Sequence, residues 1–475
     1  MSWALFIVTF ALLVVVLIQV LRTANNSATA NYVAPTMTAC AVLLGIFVFG
    51  FFIRAASIHV GRAFAWLIGL ASFLFAFVPW MVLTSGNTDL AATMYRGLRV
   101  PQGIERFWDL SLVLQSVDCD AWGFNVFVDN NGCLKDAAIY GPGMLWLNKV
   151  PFDVFSFSHV LALGVIMMVI SSLALVWLAR ESSGIGQITL LAAALGTPWL
   201  LLLERGNIDA VLIWVAIVVV LIVRRWPNAW VWSIAALLIW LVGTWKYYPF
   251  AMGIMLLPAI RLRRGWMVFG GWVFASLSYV LLTWSNFKFS MQSNSNMTEI
   301  GDYVVLGRVP VVARMFGSIF PAQGIQFGDL LIGLLAVAAV AWGAACALRM
   351  RSRETAKITN IAVLAAAGSA LFLSSVLVGG FGWAYKAAFL LLCVPAFSWI
   401  TAQKNRLLVS SGFVALALVA VCSIVVWNTL LASLAGIISA SFGVGLSITW
   451  LVMQLLKKPE QSEEHQAEKT IDQVR

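Results

Sequence analysis

The sequence predicts an all-α protein that crosses a membrane many times. Three observations carry this. Of its 475 residues 61% are hydrophobic and only 11% are charged, and mean hydropathy is +0.93. The apolar residues are also gathered into runs of about 15–25, roughly what a helix needs to span a bilayer core. Length does not set a domain count here, because that rule belongs to soluble chains.

In chain order the runs are 3–21, 37–53, 63–83, 157–179, 186–203, 209–223 and 229–245, then 248–260, 266–284, 327–348, 358–379, 387–402, 407–427 and 430–455. Allowing for uncertain boundaries, the expectation is about 12–14 transmembrane helices. The first run begins at Trp3 with no basic leader and no small-residue cleavage site, so it is read as a retained span. Residues 1–62 then form an N-terminal pair of spans and 403–456 a C-terminal pair. Between them, 63–402 is a transmembrane module with long polar loops at 84–156 and 285–326. The tail 457–475, rich in Glu and Gln, has the composition of a disordered segment. No internal repeat stands out.

The net charge of +10 does not point to nucleic acid, because the basic residues sit in small groups between apolar runs. Alternate connections carry Arg54 and Arg62, Arg180, Arg224 and Arg225, and then Arg261, Arg263 and Arg264. Later ones carry Arg349, Arg351, Arg353 and Lys357, then Lys404 and Arg406, then Lys457 and Lys458. With all fourteen runs as spans these fall on one side, which the positive-inside rule makes the cytoplasm, with both termini there. The two long loops lie on the other side, with three short turns at 204–209, 246–249 and 382–386.

Two of the flanking spans are short. As α-helices, 209–223 would be about 22 Å long and 248–260 about 20 Å, against a hydrocarbon core of about 30 Å. With their cytoplasmic ends fixed by arginines, the shortfall lies at the outer ends. That leads to the expectation of an outward-opening cavity holding Glu204, Arg205, Asp209 and Lys246, because charged, irregular backbone at that depth must be buried in protein or line a wet space. Local membrane thinning with snorkelling side chains is the alternative.

The loop 84–156 is the longest polar interruption. Asp109 opens an apolar, helix-like run through Gln115 that would suit an amphipathic helix along the membrane interface. A carboxylate there could act as a general base or could merely cap the helix. Asp118 and Asp120 follow as reserves, read as solvated loop or turn residues. Cys119 and Cys133, the only cysteines outside the apolar runs, share this loop. An oxidising compartment would favour a disulfide between them, with free thiols as the alternative, and no His lies near enough in sequence to suggest a metal site. Arginine offers a phosphate a planar fork and lysine a point charge, so Arg205 and Lys246 suit an anion as well as they suit interface anchoring.

Taken together, several of these segments resemble a known family. A carboxylate opening a short helix (Asp109), a glycine fourteen positions later (Gly123) and the Tyr140-Gly141-Pro142 turn resemble the first large extracytoplasmic loop of GT-C glycosyltransferases. The nearest branch uses polyprenyl-phosphate sugars and includes actinobacterial mannosyl- and arabinofuranosyltransferases. Arg205-Gly206-Asn207 and Lys246-x-x-Pro249 resemble two further turns of that group. Tyr385-Lys386 resembles a Tyr-Arg pair, with lysine in place of arginine.

The resemblance spans about residues 63–402 and implies a function. Asp109 would be the catalytic base, and Arg205, Lys246 and Lys386 would hold the donor phosphate. Glu204, Asn207, Asp209, Tyr140, Tyr247 and Tyr385 would line the substrate cavity. The partners implied are a polyprenyl-phosphate sugar donor, a cell-envelope glycolipid or polysaccharide acceptor, and the lipids of the plasma (inner) membrane. No cofactor is implied, and the question of a divalent cation stays open. The second loop, with Glu299, Asp302, Tyr303, Arg308 and Arg314, suits acceptor binding in composition.

The competing class is a lipid-linked sugar flippase or transporter. That would call for interrupted spans paired in two halves and ionisable groups near the midplane. The sequence shows neither pattern clearly.

Overall fold

The computed structural model describes residues 62–86, 88–97, 107–128, 132–134, 140–288, 324–350, 355–377, 384–424 and 430–456. The expected spans 3–21 and 37–53, the tail and nearly all of the 285–326 loop lie outside these residues, as do Cys40, His59 and His465.

Every regular element among the described residues is helical. The first are α1 (Arg62–Thr84), α2 (Thr88–Gly97), α3 (Trp108–Ala121) and α4 (Val160–Glu181). Next come α5 (Gly184–Ala194), α6 (Thr197–Glu204), α7 (Asp209–Arg225), α8 (Ala229–Lys246) and α9 (Gly265–Leu282). The last are α10 (Gly324–Arg349), α11 (Thr355–Leu377), α12 (Val394–Thr401), α13 (Arg406–Ile424) and α14 (Leu430–Leu456). Among the described residues seven helices are long and apolar enough to cross a membrane, or eight if α5 and α6, bent by 54°, count as one broken span. The chain is therefore an all-α, multi-pass membrane protein. The α5/α6 break falls just before Pro198, whose ring cannot continue a helix from the preceding turn.

Two apolar stretches wind differently from expectation. Residues Tyr248–Arg261 form a 3-10 helix with Pro249 at its start and Pro258 inside. At about 2.0 Å per residue this 14-residue stretch covers about 28 Å, so the shortfall expected for 248–260 is absent. The run expected at 387–402 begins earlier, as a 3-10 helix Ala384–Cys393 that passes into α12. Ala387 to Val394 are at most 2% exposed, which puts this segment at the centre of the bundle, against α6, α11, α13 and α14.

Around that centre α10 runs along α14, α11 packs on α14, and α1 lies on α4. Apolar burial does not drive helices together in lipid, so close van der Waals fit matters more. The α10/α14 contact shows this fit: Gly343 faces the backbone of Phe442 and Leu446, and Gly445 faces that of Val340. By contrast α9 turns Phe274, Leu277, Leu281 and Leu282 outward, where lipid would meet them.

The loop helix α3 is buried on most sides, including Leu110, Val113, Leu114 and Val117, with Leu112 exposed. It is packed into the protein, and the expected interfacial helix with one face in lipid is not what forms. Its end explains the spacing from Asp109 to Gly123. Gly123, at φ +88°, follows the last turn, and the N–H groups of Gly123 and Phe124 donate to the carbonyls of Asp120 and Cys119. This is a Schellman cap, whose left-handed residue favours glycine. Cys119 and Cys133 are joined by a disulfide.

Asp118 and Asp120 lie in α3 and tie it to the far side of the loop, not to solvent. Asp118 accepts from the Phe157 N–H at 2.9 Å and the Ser156 hydroxyl at 3.2 Å, and Asp120 accepts from the Asn148 amide.

Candidate functional site

The turn 204–208 joins α6 to α7 and carries the middle of the site. Its Arg205 carbonyl accepts the N–H groups of Asp109 (3.1 Å) and Leu110 (3.3 Å), which would otherwise be orphaned at the start of α3. Phe107 precedes the helix in a left-handed conformation (φ 50°), with no side-chain cap. Asp109 is thus the second residue of α3, and its carboxylate does not cap it. One oxygen lies 3.4 Å from Arg205 Nη1 and the other accepts from the Asn207 amide.

From Asn207 the network continues inward. Asn207 Oδ1 accepts from the Asp209 N–H at 2.9 Å and from Lys246 Nζ at 3.2 Å. Lys246 Nζ also lies 2.7 Å from Asp209 Oδ1, and Lys386 Nζ lies 2.7 Å from Asp209 Oδ2. Tyr248 donates its hydroxyl proton to Asp209 Oδ1 and accepts from Lys386 Nζ at 2.7 Å. Asp209 is 0% exposed and Lys386 4%. Charges so deep persist only when paired, and two ammonium groups sharing one carboxylate leave that trio with an excess positive charge.

Aromatic rings face both lysines. Lys246 Nζ is 5.1 Å from the Tyr140 ring centroid, and Lys386 Nζ is 4.1 Å from that of Tyr248 and 5.6 Å from that of Tyr385. Tyr140 reaches Lys246 because the far end of the loop is strapped to the end of α8. The Gly141 N–H donates to Trp245 O at 2.6 Å and the Gly143 N–H to Tyr279 Oη at 2.9 Å, while the Tyr279 hydroxyl donates to Thr244 O at 3.0 Å. Burial, reinforced by the Asp109 and Asp209 carboxylates, raises the Tyr140 hydroxyl well above its ordinary pKa. Burial and then Glu204 raise Tyr95 on α2 in the same way.

Asp109, Arg205, Asn207, Asp209, Lys246, Lys386, Tyr140 and Tyr385 thus meet, although they come from five separated parts of the sequence. Glu204 is buried, and its charge adds to the raising of the Tyr95 hydroxyl. Tyr247 turns away: burial raises its hydroxyl, which donates to Thr283 Oγ1 at 3.1 Å, and its ring packs on Tyr279 and Phe287. The residues named in the second loop lie outside those described.

Sequence reasoning left out Tyr248, read as the first residue of a span, although the Lys246-x-x-Pro249 turn could have flagged it. It left out Tyr279 as well, which had no signal beyond being a lone tyrosine in an apolar run.

Among the described residues no group of three or more His, Cys, Asp and Glu is arranged to hold a metal ion. What the site offers is a buried carboxylate within one amide of a positively charged, aromatic-lined trio. Such a pair can accept a proton at one end and hold an anion at the other. The chain matches no protein-family model, no curated protein and no solved structure.

Proposed function

We propose that this protein is a glycosyltransferase of the plasma (inner) membrane. It moves a sugar of the mannose or arabinofuranose class from a polyprenyl phosphate to a glycolipid or polysaccharide of the cell envelope. The observation that carries the reading is the meeting of Asp109 with Arg205, Lys246 and Lys386 in one buried network.

In the reaction, Asp109 takes the proton of an acceptor hydroxyl as that oxygen bonds to the anomeric carbon. The bond from that carbon to the phosphate oxygen breaks, and its electron pair leaves with the polyprenyl phosphate. Attack from the face opposite the leaving group inverts the anomeric centre. Arg205, Lys246 and Lys386 stabilise the charge that builds on the departing phosphate.

Orientation follows from charge. The network lies at the ends of α6, α7 and α8 away from Arg180, Arg224 and Arg225, which under the positive-inside rule supports an extracytoplasmic site, and the fourteen-span reading of the sequence then puts both termini in the cytoplasm. Clustering at one end of the helices favours transfer over transport, which would call for such groups near the midplane.

The test is to incubate membranes carrying the wild-type protein or Asp109→Asn with radiolabelled polyprenyl-phosphate sugars and a lipid extract. Transfer by the wild type, reduced at least about a hundredfold in the variant, is expected. Equal transfer by both would remove Asp109 from its role, and no transfer with any donor would leave the flippase reading ahead.

A further inference from the structure

One neutral side chain touches both halves of this site. Asn207 is 1% exposed. Its Nδ2 donates to Asp109 Oδ2, and its Oδ1 accepts from Lys246 Nζ at 3.2 Å and from the Asp209 N–H at 2.9 Å. The chemistry required here is narrow. A carboxylate only accepts and an ammonium only donates, so a single side chain joining them must present a donor to one and an acceptor to the other. A primary amide does this within one rigid plane.

The Asp209 N–H bond to Oδ1 closes a turn two residues on, which fixes the amide's rotation and so aims its N–H at Asp109. Arg205, two residues earlier, holds the first turn of α3 by its carbonyl. The same turn therefore sets where Asp109 sits and which way its carboxylate faces.

The geometry points to Asn207 as a positioning residue that couples donor binding to the base, so that holding Lys246 in place and aiming Asp109 are one arrangement. This rests on the transferase reading above. A phosphate that draws on Lys246 acts on the same amide that orients the carboxylate. An isosteric aspartate would keep the acceptor for Lys246 but set a carboxylate against Asp109. Alanine would serve neither.

The coupling is tested with the full-length chain in lipid nanodiscs, using a polyprenyl-phosphate sugar that the wild type transfers. kcat and the donor KM are measured for Asn207→Ala, Asn207→Asp, Lys246→Gln and Asn207→Ala/Lys246→Gln. Asn207→Ala is expected to lower kcat and raise the donor KM, each by about tenfold or more, the scale set by leaving buried hydrogen-bonding groups unsatisfied. Asn207→Asp should lose kcat comparably while its KM moves less than that of Asn207→Ala. The double variant should have a KM within about threefold of Lys246→Gln alone, because residues of one network do not add.

Multiplying KM effects in the double variant, or both constants of Asn207→Ala staying within about twofold of wild type, would overturn the coupling and leave the transferase reading standing. Failure of the wild type to use any polyprenyl-phosphate sugar would overturn both. Asn207→Asp, nearly identical in shape, keeps the test valid should Asn207→Ala fold poorly.

Discussion

Lys386 and Asp209 form an ion pair 2.7 Å long in which neither side chain is more than 5% exposed, and Asp209 offers its other oxygen to Lys246 at the same distance. Sharing makes the partners unequal. Asp209→Asn leaves two ammonium groups side by side without a carboxylate, whereas Lys386→Met leaves Asp209 with Lys246 and Tyr248. Breaking a buried pair costs about 3–5 kcal/mol. Asp209→Asn should therefore lower the thermal unfolding midpoint in detergent clearly more than Lys386→Met does. Equal losses would show that the carboxylate is not shared.

The disulfide Cys119–Cys133 closes a loop with a sequence separation of 14. A loop of this size restricts the unfolded chain by about 3 kcal/mol. Cys119→Ser, Cys133→Ser and the double variant should lose the same stability, and reductant should lower the unfolding midpoint of the wild type alone. A wild type indifferent to reductant would argue against the bridge.

Orientation can be read by labelling. Lys149 in the loop and Asn405 between α12 and α13 are both exposed. A membrane-impermeant thiol reagent should label Lys149→Cys in intact cells and Asn405→Cys only after permeabilisation. The opposite pattern would place the site in the cytoplasm. Asn207 would be a poor reporter, being 1% exposed.

Tyr95 and Tyr140 are held protonated above their ordinary value of 10.0. Once pH exceeds that value the unfolded chain ionises these groups while the folded one does not, so the folded state binds more protons and stability falls as pH rises. The unfolding midpoint should begin to drop as pH passes about 10 and keep falling above it, and Tyr95→Phe with Tyr140→Phe should flatten the drop. An unchanged slope would mean that other groups set it.

Much of this arrangement was legible in the sequence, because charge in a lipid-compatible chain is conspicuous. Arg205, Asp209, Lys246 and Lys386 stand out against their apolar surroundings, and each sits where a run of hydrophobic residues begins or ends. Less legible was what depends on winding and packing. Apolar content alone does not reveal that 248–261 would form a 3-10 helix, so the length argument for that stretch failed, and the turn expected over 246–249 narrows to Tyr247 between two helices. The burial of α3 was also hidden. Asp118 and Asp120 look solvated in sequence, and only the folded loop brings Ser156, Phe157 and Asn148 to them. Tyr247 and Tyr248 are adjacent and chemically alike, and backbone direction alone sends one to Thr283 and the other to Asp209.

The amide groups at the start of α3 are bound to the carbonyl of Arg205, and the loop is fastened again at Gly141. Between these two anchors lie α3, the Cys119–Cys133 bridge and Tyr140, so the loop is pinned at both ends and braced in between, and Asp109 keeps its place against Lys246. What such bracing leaves free to vary is the outward face of the loop, where Trp122 and Phe124 stand exposed just past α3 and can be exchanged without touching either anchor.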